Sequence, residues 1–263
     1  MTNLKIAVQL RYGLSHPTDI LAQIQVPDLP DQVVQSHDFA VLNARHCADV
    51  VAENGLGVRT WIRVDDTFHC DYSCTVTVDR PALQLDQLPS VPPHLLPGDA
   101  VRYLMPSRYC PSDEFQSLVA AEFGSQEGGA RVLAMTDWIF ENFQYVPGSS
   151  SGQTTALDTF VQRQGVCRDY AHVLIAFCRA SAIPARFVSA YAPDVTPQDF
   201  HAVVEVFLDG TWHLVDPTRM ARATDIARIG VGMDAAEVAF LSSYGPVTLE
   251  TQTVSVERVS GEA

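Results

Sequence analysis

Nowhere does the chain run through eighteen or more apolar residues, which excludes a hydrophobic helix long enough to cross a bilayer. The first twelve residues, Met1 to Tyr12, are interrupted by Lys5 and Arg11 and carry no signal-peptide pattern, so a cytoplasmic location is expected. Cysteine is scarce: Cys47, Cys70, Cys74, Cys110, Cys167 and Cys178, with no CxxC pair. That usage excludes a disulfide framework and fits free thiols in a reducing compartment. Positive charge is scarce too, 17 Lys and Arg against 31 Asp and Glu, a formal net charge of −14. Such a field repels phosphate backbones and anionic lipid surfaces, so neither nucleic acid nor membrane is an expected partner. An acidic surface attracts amines and basic peptides, although solubility alone also accounts for it. What remains is 263 residues, 47% of them hydrophobic, enough for one large domain or two of ordinary size.

Up to about residue 80 the pattern has period two, as in Ile20, Ala22, Ile24 and Val26 or Tyr72, Cys74, Val76 and Val78. It predicts an N-terminal β module with strands at Leu4 to Tyr12, Ile20 to Val26, Asp38 to Cys47, Gly57 to Val64 and Phe68 to Val78, arranged as a sandwich or small barrel. Cys70 and Cys74 share a strand face there, but no second pair completes a metal site, and both are read as core. Seven prolines between Pro81 and Pro111 forbid long helices or central strands, so 81–111 reads as a linker. Helical spacing follows over Phe115 to Phe123, Ala130 to Phe143 and Thr155 to Gln164, the last with Gly165 as its stop. Residues 112–263 are the expected catalytic domain.

Ahead of a helix carrying Ala171, Leu174, Ile175 and Cys178 on one stripe stands Gly165-Val166-Cys167, which places Cys167 at the helix N-terminus. Free N–H groups and the positive end of the helix dipole stabilise a thiolate there and can donate to an oxyanion. Downstream, FHAVVEVFL and TWHLVD flank Asp209-Gly210, the strongest short-range hairpin signal. With a two-residue loop Leu208 faces Thr211 and, counting back along both strands, Val203 faces Asp216. His201 then projects from the same face as Asp216, a diagonal neighbour roughly 7 to 8 Å away between Cα atoms. A histidine whose Nδ1–H is held by that carboxylate would present Nε2 as base to the thiol. The expected catalytic set is therefore Cys167 as nucleophile, His201 as base and Asp216 as its orienting acid.

The run GVCRDYAHVLIAFCRASAIPARFVSAY, followed by DFHAVVEV and TWHLVDPT, resembles the core of bacterial transglutaminase-like proteins. The resemblance extends from about Phe115 to Phe240 and rests on three ordered motifs. It implies an α+β fold of papain-like type, in which a helix-start Cys packs on an antiparallel sheet supplying His and Asp, and it assigns these roles to Cys167, His201 and Asp216. It also implies an all-β sandwich-like module in front. Arg168 follows Cys167 where animal transglutaminases have Trp, and no Asp-rich calcium loop is present, so neither metal nor cofactor is expected.

Among the neighbours, Asp169 is read as a first-turn carboxylate favouring the helix dipole, His172 as a packed or surface residue, and Arg186 as the partner of an internal carboxylate. Trp212 shares the face of Asp216 and reads as core, while His213 falls on the opposite face from His201. A second oxyanion donor besides the Cys167 N–H is expected from Tyr145 or Gln144, with the resemblance favouring Tyr145. The expected activity is acyl transfer or hydrolysis at a peptide or protein amide through a thioester, with water or a primary amine as acceptor. The alternative is a binding or scaffold protein that keeps the fold without turnover.

Overall fold

The computed structural model describes residues 1–260. The period-two region folds as β1 (Thr2–Leu14), β2 (Thr18–Ala22), β3 (Gln32–Val41), β4 (His46–Val51), β5 (Val58–Val64) and β6 (Thr67–Val78). On β1, Leu4, Ile6, Val8 and Leu10 are buried while Lys5, Ala7 and Gln9 face solvent, as alternation requires. With one later strand added to each, these six form two four-stranded antiparallel sheets, and their inward faces share one core that includes Ile20, Ile62, Phe68 and Tyr72. Cys70 and Cys74 lie inside that core. The segment Asp38 to Cys47, read from sequence as one strand, is two: Asn43 takes a left-handed φ of 55° between β3 and β4, and the chain passes from one sheet to the other.

After β6 the chain forms α1 (Gly98–Val101), α2 (Gln116–Phe123), α3 (Gly128–Asn142), α4 (Ala156–Gln162) and α5 (Cys167–Ala180). Between α3 and α5 the two-residue strands β7 (Gln144–Tyr145) and β8 (Gln164–Gly165) pair in parallel. An antiparallel sheet follows, in the order β11-β10-β9-β12, from β9 (Ala185–Tyr191), β10 (His201–Leu208), β11 (Thr211–Val215) and β12 (Ala227–Gly232). Every residue of α5 from Asp169 to Arg179 is buried. The apolar stripe read from the sequence is thus only part of its contact surface, because the sheet covers one side and α2 to α4 cover the other. Thr155 caps α4 by accepting from the Asp158 N–H, and Arg163 ends it at a φ of 58°, two residues before the expected stop at Gly165. Gly165 meets a different need, since a Cβ there would lie 2.6 Å from the Cβ of Asp169.

Two more strands close the structure. Both β13 (Leu241–Ser243), beside β2, and β14 (Val247–Val259), beside β1, return to the sandwich from within the segment 112–263. Both ends of the chain therefore build the β sheets. Nor is 81–111 a free tether: Ala100, Tyr103 and Cys110 are fully buried, and the Arg179 guanidinium of α5 donates to the carbonyls of Met105 (3.0 Å) and Met233 (2.6 Å) and to Ser107 Oγ (3.1 Å).

Arg186 finds the internal carboxylate expected of it. Its guanidinium bonds Glu205 at 2.7 Å, with both side chains buried, and Glu205 also accepts from Arg228 at 2.7 Å. Arg228 and Arg80 in turn share Asp31. Arg228 keeps Asp31, but removing the Glu205 charge strands the Arg186 guanidinium away from water, so Glu205→Gln should cost about 3 to 5 kcal/mol in urea unfolding. A loss below about 1 kcal/mol, the scale of a surface pair, would show that other acceptors replace it.

Candidate active site

Cys167 is the first residue of α5, preceded by Val166 in extended conformation. The helix start is clamped from within. Fully buried Asp169 accepts from the Val166 N–H at 2.8 Å and from Ser150 Oγ at 2.5 Å, satisfying a donor that the helix leaves free. The Arg168 guanidinium reaches back to Ser150 Oγ and the Ser151 carbonyl, both at 3.0 Å. Ser150 was not foreseen, because nothing in its Gly-Ser-rich surroundings marks it and its partner lies nineteen positions away.

Asp209 and Gly210 turn at φ of 47° and 78°, the pair of positive values a two-residue hairpin needs. Leu208 faces Thr211 and Val204 faces Val215, in the register the turn implies. His201 and Asp216 meet at the far end of that ladder, Nε2 to Oδ2 at 2.9 Å, with both side chains out of solvent. Two further groups hold the carboxylate: Oδ1 accepts from the Thr218 N–H (2.9 Å) and Oγ1 (2.7 Å), and Oδ2 accepts from the Ala221 N–H (2.8 Å). The ring is oriented the other way from the sequence expectation. Asp216 binds Nε2, which leaves Nδ1 without a hydrogen-bond partner among the described residues, on a ring that lines the same cleft as Cys167. Register brings the two side chains to one face but does not say which ring edge leads; packing decides that.

Burial works against an imidazolium at His201, but the hydrogen bond to Asp216 and the nearby charges of Cys167 and Asp216 outweigh it and raise the ring to about 10. Burial likewise pushes the Asp216 carboxyl up, and the bonds from His201 and Thr218 overcome this and hold it below its ordinary value.

Of the two oxyanion candidates, Tyr145 lies beside Cys167. Burial, then the Cys167 charge, pushes that phenol up. Gln144 is its neighbour on a strand, so its side chain points the other way and is exposed. His172 is buried against Tyr109, ring centroids 5.0 Å apart, with Nε2 accepting from the Ala235 N–H; burial lowers it to about 3 and keeps it neutral. Trp212 packs beneath Arg186, and His213 bonds the Leu208 carbonyl and Thr211 Oγ1 of its own hairpin. Among the other thiols, burial pushes Cys70, Cys110 and Cys178 up to about 12. Cys167 is half-buried and opens on a cleft of about 350 Å³ that also reaches Phe200, Phe240 and, from β14, Gln252.

Residues 118–217 match the model of the transglutaminase-like superfamily. A crystal structure of a candidate cysteine protease from Cytophaga hutchinsonii superimposes with a TM-score of 0.92 at 33% identity, covering 100% of this chain and 92% of that one. The uncharacterized protein ML0607 of Mycobacterium leprae is 29% identical over 146 residues, 52% of each chain. Rv2569c of Mycobacterium tuberculosis, also uncharacterized, is 30% identical over 74 residues, 28% of this chain and 24% of its own. The chain thus spans about half the length of the first of these curated relatives and about a quarter of the second.

The electrostatics of the pair set a pH dependence. His201 holds its proton more tightly in the folded chain than in the unfolded one. Its bond to Asp216 therefore contributes fully below the unfolded imidazole value of about 6.5 and is lost as pH rises through about 10. The lowered Asp216 carboxyl contributes above its unfolded value of about 3.9, and that part is lost as pH falls through the folded value. Asp216→Asn should bring the His201 titration, followed by NMR of the ring protons, down from about 10. In thermal melts the parent's advantage over this variant should peak near pH 5 to 6 and shrink by about pH 10; an advantage that grows between pH 7 and 10 would contradict this assignment.

Proposed function

The chain belongs to the transglutaminase-like superfamily, and from that premise we propose that it is a thiol enzyme acting on peptide or protein amides, with Cys167, His201 and Asp216 as its catalytic residues. The observation that carries the reading is the position of His201. Its ring bonds a buried, multiply bonded carboxylate on one side and lines the same cleft as the helix-start thiol on the other. The Cytophaga hutchinsonii relative, a candidate cysteine protease, supports the same class of chemistry.

In the proposed cycle the proton given up by the Cys167 thiol already sits on His201, as an imidazolium beside the attacking thiolate. Cys167 Sγ forms a bond to the substrate carbonyl carbon, and the oxygen becomes an oxyanion facing the Cys167 N–H and the Tyr145 hydroxyl. Collapse breaks the C–N bond as the imidazolium gives its proton to the departing amine, leaving a thioester. Water or a second primary amine then attacks the thioester carbon, His201 accepts its proton, and the C–S bond breaks to return the thiolate. Asp216 holds the ring in orientation and stabilises its charged form throughout. Exclusion of water from the cleft would favour the amine as acceptor; the free opening beside Cys167 gives hydrolysis the simpler path.

Cys167→Ala and His201→Ala should abolish release of amine from peptide amides. Asp216→Asn should lower turnover by about 10² to 10⁴-fold, the scale for losing control of the histidine tautomer in a related triad. Running the assay with and without an added primary amine separates transfer from hydrolysis. A short substoichiometric pulse of iodoacetamide, mapped by mass spectrometry, should label Cys167 ahead of exposed Cys47, which burial and Asp49 push up. Labelling of Cys167 no faster than that of buried Cys178 would instead mean a silent scaffold.

A further inference from the structure

The cleft beside Cys167 has a composition that the acyl chemistry alone does not require. Its walls are apolar: Phe187, Phe200, Ala235, Val238, Ala239 and Phe240. The rings of Phe200 and Phe240 lie face to face, 4.2 Å between centroids and 7° from parallel. Tyr191 backs Phe200 at 5.5 Å, and Tyr72 backs Tyr191 at 6.5 Å, so the wall is continuous with the sandwich core. The Phe240 carbonyl is fixed by the Gln23 N–H at 2.9 Å. The polar groups at the rim are already engaged. Asp199 Oδ1 accepts from the Phe200 N–H (2.8 Å) and from Gln252 Nε2 (2.7 Å), while Arg168 is tied to Ser150 and Ser151. On the floor, the buried Ser189 Oγ has no partner among the described residues.

We propose that this cleft is a specificity subsite for a large apolar side chain, aromatic by preference, carried by the substrate within one residue of the attacked carbonyl. The proposal rests on the thiol reading above and adds the class of substrate. A volume of about 350 Å³ is at the small end of ligand sites, which run from roughly 300 to 1,000 Å³, and suits one side chain rather than a cofactor. A flat ring matches the exposed edge of the stacked phenylalanines. An acidic side chain would meet Asp199, already the one carboxylate at the rim, and a small one would leave the apolar walls wet.

Three chloroacetamides test this, each alkylating a thiol by forming C–S as C–Cl breaks and releasing chloride: N-methyl, N-phenethyl and N-carboxyethyl. Rates are read at Cys167 by peptide mass spectrometry. The phenethyl reagent should react about tenfold or more faster than the methyl one, the discrimination an apolar pocket supports, and the carboxyethyl reagent slowest. Phe240→Ala, which removes one wall, and Ala235→Leu, which adds bulk to the lining, should each pull the phenethyl-to-methyl ratio toward one. A ratio near one in the parent, or a parental ratio retained in both variants, overturns the subsite. The ratio is independent of how reactive Cys167 is in absolute terms. The methyl rate at Cys167 against that at Cys47 judges the thiol reading separately.

Discussion

Asp209 and Gly210 both occupy left-handed backbone conformations, and the tight turn they form leaves β10 and β11 a single register. A slip of one residue would carry His201 and Asp216 to opposite faces of the sheet. The carboxylate does not rely on that register alone, because the backbone of Thr218 and Ala221 curls around it and supplies donors. A charge buried to this depth is costly unless it is fully bonded, and the four contacts to Asp216 offset that cost while fixing the imidazole. Turn geometry, carboxylate solvation and ring orientation are thus one linked constraint.

A second buried polar system ties the sandwich to the sheet that carries His201. Asp31 and Arg80 sit at the ends of β strands in the N-terminal module, Glu205 on β10 and Arg228 on β12, and their ion pairs connect these segments. With Arg186 the group holds three guanidiniums against two carboxylates. Buried ion pairs contribute little net stability compared with apolar packing, but they penalise any arrangement that separates the partners. Glu205 lies four residues beyond His201 on the same face of β10, so the network that fixes the two halves also fixes the strand presenting His201.

The sandwich takes part in the site itself. Gln252 of β14 reaches Asp199 at the rim of the cleft, and an aromatic series from Tyr72 in the sandwich core to Phe240 forms one wall. The floor belongs to the α5 and β9–β10 side, where Cys167, Phe187 and His201 lie. The shape of the cleft beside Cys167 therefore depends on strands from both ends of the chain.

Local patterns determined a good deal. Period-two alternation announced β1 and β6, helical spacing announced α3 and α5, and a two-residue turn dictated which residue of β10 faces which residue of β11. Each of these follows from steric rules that act over a few residues, and so they are legible in order along the chain. The His201 edge that meets Asp216, the placement of Tyr145 rather than Gln144 beside Cys167, and the clamp of Ser150 on Asp169 were decided only by packing. So were the return of β14 to β1 and the meeting of Phe200 with Phe240. An alternating strand states which of its faces is apolar but not which strand will pair with it, and a ring or hydroxyl takes its partner from whatever distant segment the folded core brings against it.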